Sequence, residues 1–334
     1  MKVAAVRTQD NKAKLVIETR PKPVAGPGEV LVRVHASSLN FHDLAVVTGA
    51  LKTDDGRIPM SDGAGEVIAL GEGAKTFKIG DRVVSSFFPN WASGEPSLPS
   101  LMGVPGDHVD GFAAEYVAMP EHAFSPIPEG LSYQQAATLP CAALTAWRSL
   151  MVERRIKAGD WVLTLGTGGV SVFALQFAKM AGARVISTSS SDEKLEKMRS
   201  LGADALINYK TTPEWGAEVL KLTGGAGVDK VLEVGGPKTM PESITACRIG
   251  GHIVLIGVLT GQGGYVPTAQ LFTKNITLTG VTVASMQDQT DMLAAIAANG
   301  IEPALDQDFA LDDIAVAFAH QASQKHFGKI TLSI

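Results

Sequence analysis

Three glycines, a hydroxyl-rich strand end and one histidine are the residues of this chain whose types and spacing suit chemistry. Gly166, Gly168 and Gly169 lie in G-T-G-G-V-S, just after a short apolar run, Val162–Leu165. Val170, Phe173, Ala174, Phe177, Ala178 and Ala181 then recur at the spacing of one helix face. Strand, glycine turn and helix is the geometry in which backbone N–H groups and a helix N-terminus meet a pyrophosphate. Ser171 stands where a third glycine is usual, and its small side chain still permits close helix–strand packing. The next strand, Arg184–Thr188, is where a dinucleotide site reads the adenosine ribose. An acid there binds the 2′-hydroxyl and selects NAD. This chain has Ser187-Thr188-Ser189-Ser190-Ser191 instead, followed by Asp192 and Glu193 in a first helical turn, where the dipole favours acids anyway, and by Lys194. Hydroxyls at Ser189–Ser191 with an ammonium at Lys194 suit a 2′-phosphate, so NADPH is expected over NADH; helix capping is the plainer use of the same serines. His42, in L-N-F-H-D, carries an imidazole that titrates near neutrality and can deliver a proton to an enolate. His35, His108, His122, His252, His320 and His326 show no ligand spacing.

These residues need elements to hold them. The first part of the chain reads as strands and turns: Val3–Val6 and Leu15–Glu18 around a polar turn, then Val30–Val34 after Gly26-Pro-Gly28. Ser38–Thr48 is expected as a short helix closed by Gly49, Ser61–Leu70 as a glycine-rich turn and strand, and Phe112–Ala118 as a further strand. Residues 88–111, rich in Pro, Gly and Ser, form a loop long enough to be functional or mobile. From Ser132 helices alternate with strands. Gln134–Met151 is expected to be helical, and Ser190–Leu201 to be a helix with a Ser190/Glu193 capping box and Gly202 at its end. With the two strands already named, Ala205–Tyr209, Lys230–Val234, His252–Gly257 and Ile276–Val281 complete six short apolar runs. Six such runs with intervening helices imply a doubly wound parallel sheet. Helices near 288–300 and at Leu311–Ala322 and a strand at Lys329–Ser333 close the chain, and this tail is expected to return to the first domain; a cleft between two domains is a usual place for a substrate.

Composition narrows the function class. The 334 residues suffice for two domains, and 45% hydrophobic with 19% charged residues is ordinary for a soluble globular protein. A net charge of −5 gives no electrostatic reason to expect nucleic acid or an anionic membrane surface. Only Cys141 and Cys247 occur, which excludes a disulfide framework or a four-cysteine zinc site and suits the reducing cytoplasm. The N-terminus lacks the apolar core of a signal peptide, and no apolar run reaches membrane-spanning length.

Several further motifs, weak singly and specific together, extend over nearly the whole chain. They are G-E-V-L-V-R-V (Gly28–Val34), L-N-F-H-D (Leu39–Asp43), D-G-A-G-E-V (Asp62–Val67), G-D-R-V (Gly80–Val83), A-E-Y-V (Ala114–Val117), L-T-A-W (Leu144–Trp147), G-T-G-G-V-S and the terminal G-K-I-T-L (Gly328–Leu332). In this arrangement the chain resembles the medium-chain dehydrogenase/reductase superfamily. The resemblance implies an α/β protein: a GroES-like β catalytic domain over residues 1–141 and 284–334, and a Rossmann domain, a doubly wound parallel sheet binding NAD(P), over 142–283.

The superfamily divides on zinc. Zinc-dependent members carry a cysteine in the segment matching Leu39–Asp43, where Asn40 stands here, and a Gly-His-Glu matching Met60-Ser61-Asp62, where the histidine has become Ser61. Of three catalytic ligands only the position of Cys141 keeps its residue type, and residues 88–111 lack the cysteines of a structural zinc loop. No zinc is therefore expected. Losing the metal favours acceptors whose negative charge spreads over a conjugated system, because hydride transfer to an isolated ketone builds a localised alkoxide. The chain thus resembles the zinc-free quinone oxidoreductase branch, in which N-x-x-D (Asn40–Asp43) is typical. That resemblance implies an NADPH-dependent reductase of quinones or α,β-unsaturated carbonyls, working as a homodimer. It places Asn40 near the substrate carbonyl, with helix capping as the bland alternative, and His42 at the proton-relay position. It places Gly166, Gly168, Gly169 and Val170 at the pyrophosphate turn, and Ser189, Lys194 and Tyr209 at the 2′-phosphate. Thr145, Gly235, Gly257, Val258 and Val281 fall at the nicotinamide half, and Lys329 near the pyrophosphate. Phe41, Met60, Phe87, Phe88 and Trp91 can wall the acceptor pocket or simply form core; Cys141 reads as packing. An alcohol dehydrogenase or carbonyl reductase, and a nucleotide-binding protein without turnover, are the alternatives.

Overall fold

The structure, a computed structural model, describes residues 1–9 and 12–334. The polar turn read between the first two strands falls at residues 10–11, outside the described residues. In chain order the strands are β1 (Lys2–Gln9), β2 (Lys12–Thr19), β3 (Glu29–Ser38), β4 (Asp62–Leu70), β5 (Arg82–Ser85), β6 (Tyr116–Pro120), β7 (Phe124–Pro126), β8 (Trp161–Leu165), β9 (Arg184–Ser189), β10 (Ala205–Asn208), β11 (Val228–Glu233), β12 (Cys247–Leu255), β13 (Thr277–Gly280), β14 (Leu305–Ala310) and β15 (Lys329–Ser333). The helices are α1 (Phe41–Val47), α2 (Tyr133–Ala137), α3 (Leu144–Trp147), α4 (Gly169–Met180), α5 (Asp192–Ser200), α6 (Trp215–Leu222), α7 (Met240–Ala246), α8 (Thr268–Thr273), α9 (Met286–Asn299) and α10 (Ile314–Ala322).

Two compact units divide the chain: Met1–Leu144 with Val283–Ile334, and Thr145–Thr282. In the first, a seven-stranded sheet runs β14-β15-β3-β4-β5-β7, with β6 also paired to β3. Every pairing in it is antiparallel except β14 with β15. β15 pairs with β3 through Thr331↔Ser38, which ties the end of the chain to its beginning. The core under this sheet gathers Val30, Val32, Val34, Val67, Val83, Phe112, Phe124, Ile330 and Leu332.

In the second unit the six expected strands form one parallel sheet in the order β10-β9-β8-β11-β12-β13. The strand order reverses between β8 and β11, and in such sheets ligands bind beyond the carboxyl ends of the strands at that switch point. Leu163, Ile186, Val231 and Ile253 are fully buried in the strands, as expected where helices cover both faces.

Some element boundaries differ from those the sequence suggests. Residues 134–151 are not one regular helix: π-helical turns at Leu139–Ala143 and Arg148–Val152 interrupt it, the first containing Pro140, which cannot donate an intrahelical hydrogen bond. The expected helix at Ser38–Thr48 is strand through Ser38 and helix only from Phe41. Ser191, not Ser190, caps α5, its hydroxyl accepting from the Lys194 N–H. Strand β6 starts later than Phe112, because the N–H groups of Gly111, Phe112 and Ala113 donate to Ile58, Met60 and Pro59 instead of to a neighbouring strand. Leu311–Asp313 is a 3₁₀ turn ahead of α10.

Candidate active site

At the carboxyl edge of the parallel sheet, β8 turns into α4 through Gly166, Thr167 and Gly168. Gly166 has φ +74°, a left-handed conformation that favours glycine. Gly168, the N-cap of α4, has an ordinary φ of −78°, and a Cβ built on it would meet nothing within 4 Å. Packing inside the chain therefore gives no reason for glycine at 168. No side chain caps α4, so its first N–H groups are left for a ligand or water. Ser171 is buried, and its hydroxyl donates to the Leu165 carbonyl at 2.7 Å, pinning strand to helix.

The next two strands end together. Tyr209 N–H donates to the Ser189 carbonyl at 3.0 Å, the Ser189 hydroxyl accepts from Ser191 N–H at 3.3 Å, and Ser191 caps the helix that carries Lys194. The fold thus gathers Ser189, Lys194 and Tyr209 at one place, with the Tyr209 ring exposed. Asp192, in the first turn of α5, accepts from Asn208 Nδ2 at 2.6 Å.

At the end of β11, Glu233 is fully buried and accepts from Gly235 N–H, Gly236 N–H and the Thr239 hydroxyl at 2.6–2.9 Å, and from Ser243. It shapes the turn carrying Gly235, and no sequence signal marked it. A Cβ on Gly257 would lie 2.4 Å from the Val234 carbonyl oxygen, so the loops after β11 and β12 pass too closely for a side chain there. Val281 N–H donates to the Leu255 carbonyl, and Val258 is exposed. Thr145 is buried in α3.

A second polar cluster lies in the first unit, at the ends of β3, β4 and β15. Asn40 follows β3 and caps α1 with an extended backbone; the Asp43 carboxylate accepts both the Asn40 and the Ser61 N–H at 2.8 Å. Lys329, at the start of β15 and nearly fully buried, donates to the Leu39 carbonyl at 2.6 Å and to Asn40 Oδ1 at 2.5 Å. The Asn40 amide nitrogen donates in turn to Asp62 Oδ2 at 2.8 Å and Ser61 Oγ at 3.2 Å. Asp62 also accepts from the Ser38 hydroxyl at 3.0 Å and lies 4.0 Å from the Lys329 ammonium. Burial pushes the Asp62 carboxyl up to about 7, with Lys329 opposing the shift and Asp43 adding to it. Burial also raises the Cys141 thiol well above its ordinary range.

His42 sits beside this cluster on the first turn of α1. Its Nε2 is shielded from solvent without a hydrogen-bond partner, 3.7 Å from Asp107 Oδ2, and its ring meets the edge of Phe87 at 5.4 Å.

Two family descriptions match the chain: an alcohol dehydrogenase GroES-like domain over residues 26–129 and a zinc-binding dehydrogenase over 169–298. A zinc-type alcohol dehydrogenase-like protein of Schizosaccharomyces pombe is 44% identical over 317 residues, 92% of this chain and 91% of the relative. The chain belongs to the medium-chain dehydrogenase/reductase superfamily. Its first unit contains the GroES-like domain and its second the Rossmann domain. Among solved structures, a putative alcohol dehydrogenase from Sinorhizobium meliloti superposes with TM-score 0.94 at 36% identity, covering 100% of this chain and 98% of that one. A crotonyl-CoA carboxylase/reductase in complex with NADP gives 0.88 at 25% identity, covering 100% and 94%.

Within the superfamily's frame, most residues expected at the cofactor follow the carboxyl ends of the six strands: Gly166, Gly168, Gly169, Val170, Ser189, Lys194, Tyr209, Gly235, Gly257, Val258 and Val281. Lys329 does not. It starts β15, and its ammonium donates to the Leu39 carbonyl and to Asn40 Oδ1. Asn40 joins the same cluster, its amide nitrogen donating to Asp62 and Ser61 and its oxygen accepting from Lys329. Of the aromatic and apolar residues considered for a pocket wall, Met60, Phe87, Phe88 and Trp91 are core, and Phe41 alone is exposed.

The zinc that many superfamily members hold fits these residues poorly. An amide already hydrogen-bonded to an ammonium, a buried hydroxyl and a thiol driven toward its neutral form are not the three deprotonated or neutral donors that zinc requires. Among the described residues, no group of three His, Cys, Asp or Glu is placed to hold a metal ion.

Proposed function

We propose that this protein is a zinc-independent, NADPH-dependent oxidoreductase that transfers hydride to quinones or α,β-unsaturated carbonyls. The observation carrying this reading is the Lys329–Asn40–Asp62 cluster, in which hydrogen bonds engage the residues at the positions of lost zinc ligands. Bound NADPH supplies the hydride. Without a Lewis acid, an isolated ketone leaves its alkoxide charge unstabilised, whereas a conjugated acceptor spreads it. A relative whose name makes it a crotonyl-CoA reductase, and so a reducer of a conjugated thioester, supports that acceptor class. Open space at Gly168 and the uncapped start of α4 support pyrophosphate binding. Ser189, Lys194 and Tyr209, with no acid at the end of β9, support a 2′-phosphate. Gly235, Gly257, Val258, Val281 and Thr145 serve the nicotinamide half. His42 supplies the proton that completes reduction, and Asn40 acts by holding the cluster. On this reading residues 1–141 with 284–334 form the catalytic domain and 142–283 the cofactor domain.

We further propose a homodimer, formed by the open edge of β13, where Leu278 is exposed and the nearby Phe272 is 73% exposed. A reducing cytoplasm suits its two thiols. No helix among the described residues is long and apolar enough to cross a membrane.

The test is NADPH oxidation with 1,4-naphthoquinone, 2-cyclohexenone and cyclohexanone, each with and without EDTA. Turnover of the first two is expected, unchanged by the chelator. Activity confined to cyclohexanone and lost with EDTA overturns the proposal and favours a metal-dependent alcohol dehydrogenase, the activity for which several of its relatives are named.

A further inference from the structure

We infer that Asp107 is a positioning residue for His42, holding the Nε2 edge of the imidazole so that Nδ1 is the nitrogen that gives up the proton. This rests on the proposed role of His42 and adds a residue from the loop 88–111 that no sequence motif marked. Asp107 Oδ2 stands 3.7 Å from His42 Nε2, within about 1 Å of hydrogen-bonding distance, and catalytic hydrogen bonds often tighten only when ligands are bound. Nε2 is the buried nitrogen and has no other hydrogen-bond partner. The Asp107 side chain is itself only 12% exposed, and Phe87 fixes the ring from one side.

Other groups near the pair are committed. His108 Nδ1 is 4.0 Å from the same carboxylate oxygen, but it accepts from Val104 N–H and so presents a lone pair, not a hydrogen. Asp43, the acid next to His42 on α1, is used by the Asn40 and Ser61 N–H groups. The backbone holds Asp107 in place: it sits in a turn closed by Gly106 N–H to Val109 O and His108 N–H to Val104 O. Gly106 in turn lies against Met60, where a Cβ would come within 2.7 Å of the backbone.

In the step this allows, the Nδ1–H bond of the imidazolium breaks as an O–H or C–H bond forms on the acceptor that has received hydride. The neutral ring keeps its Nε2 hydrogen toward Asp107, and water restores the proton on Nδ1.

A double-mutant cycle with NADPH and 2-cyclohexenone tests the inference. Asp107→Ala is expected to lower kcat about tenfold with KM for NADPH unchanged, and to cause no further loss in a His42→Ala background. Asp107→Asn, which keeps the shape and an acceptor oxygen, should retain part of the rate. Equal losses in both backgrounds, or none in either, overturn the inference. If His42→Ala alone turns over at the native rate, the proton-donor reading fails, and ring ¹⁵N spectra of His42 then decide the pair by themselves. An Nε2–H tautomer that becomes mixed in Asp107→Ala sustains the hold of Asp107; identical spectra overturn it.

Discussion

A buried lysine with a carboxylate and an amide for company decides most of what individual residues say here. Removing one member of such a set leaves its partners desolvated and unpaired, which is far more costly than losing a surface ion pair. Lys329→Met keeps most of the side-chain volume but strips the donor from the Leu39 carbonyl and Asn40 Oδ1. It is expected to reduce the free energy of unfolding in urea by about 3 kcal/mol. Were Lys329 a pyrophosphate ligand instead, the same variant would keep its stability and weaken NADPH binding. Asp62 adds a pH signature. Its folded carboxyl is raised to about 7 from 3.8, so the folded state holds this proton after the unfolded chain has released it. The associated stability is complete below about pH 4 and is lost as pH rises through 7. Asp62→Asn should remove that component, so the difference between variant and native urea midpoints grows in the variant's favour from pH 4 to pH 8.

At the scale of elements, glycines divide into those the fold needs and those a ligand needs. Met60 is fully buried with φ +81°, an unusual conformation for a side-chain-bearing residue, and its backbone is wedged against Gly106 and Gly111. A Cβ on Gly111 would lie 2.2 Å from the Met60 carbonyl oxygen, so Gly111→Ala should cost about 2 kcal/mol or more in thermal or urea unfolding. Gly168→Ala meets no atom and should stay within about 1 kcal/mol of native stability. Its effect should instead be about a tenfold or greater loss of NADPH affinity, read by nicotinamide fluorescence. An alanine at 168 that binds NADPH as tightly as glycine would remove the ligand-approach argument.

For the whole molecule, the exposed edge of β13 makes an assembly prediction. Sedimentation velocity should show a dimer, and Leu278→Lys, which places charge beside that edge, should shift it toward monomer with secondary structure intact. A native protein that sediments as a monomer at micromolar concentration rejects the proposed interface.

Much of this architecture is legible in the one-dimensional pattern, because it depends on local chemistry. Apolar runs separated by helix-period segments specify the six parallel strands, and G-T-G-G-V-S announces its turn because the left-handed backbone at Gly166 favours glycine. The superfamily itself was readable from motifs spread along the chain. What the sequence could not place were contacts between distant residues. Lys329 and Asn40 are 289 positions apart, and only the pairing of β15 with β3 brings ammonium to amide. Asp107 reaches His42 because Gly106 and Gly111 let a loop close on Met60, and Glu233 acquires its partners only when the turn after β11 folds over it. Periodicity and propensity act over a few residues, so sequence alone determined most of the elements and the glycine turn after β8. Hydrogen-bond partners of buried polar groups are set by long-range closure, and only the tertiary structure decided that Lys329 and Asn40 serve the cluster.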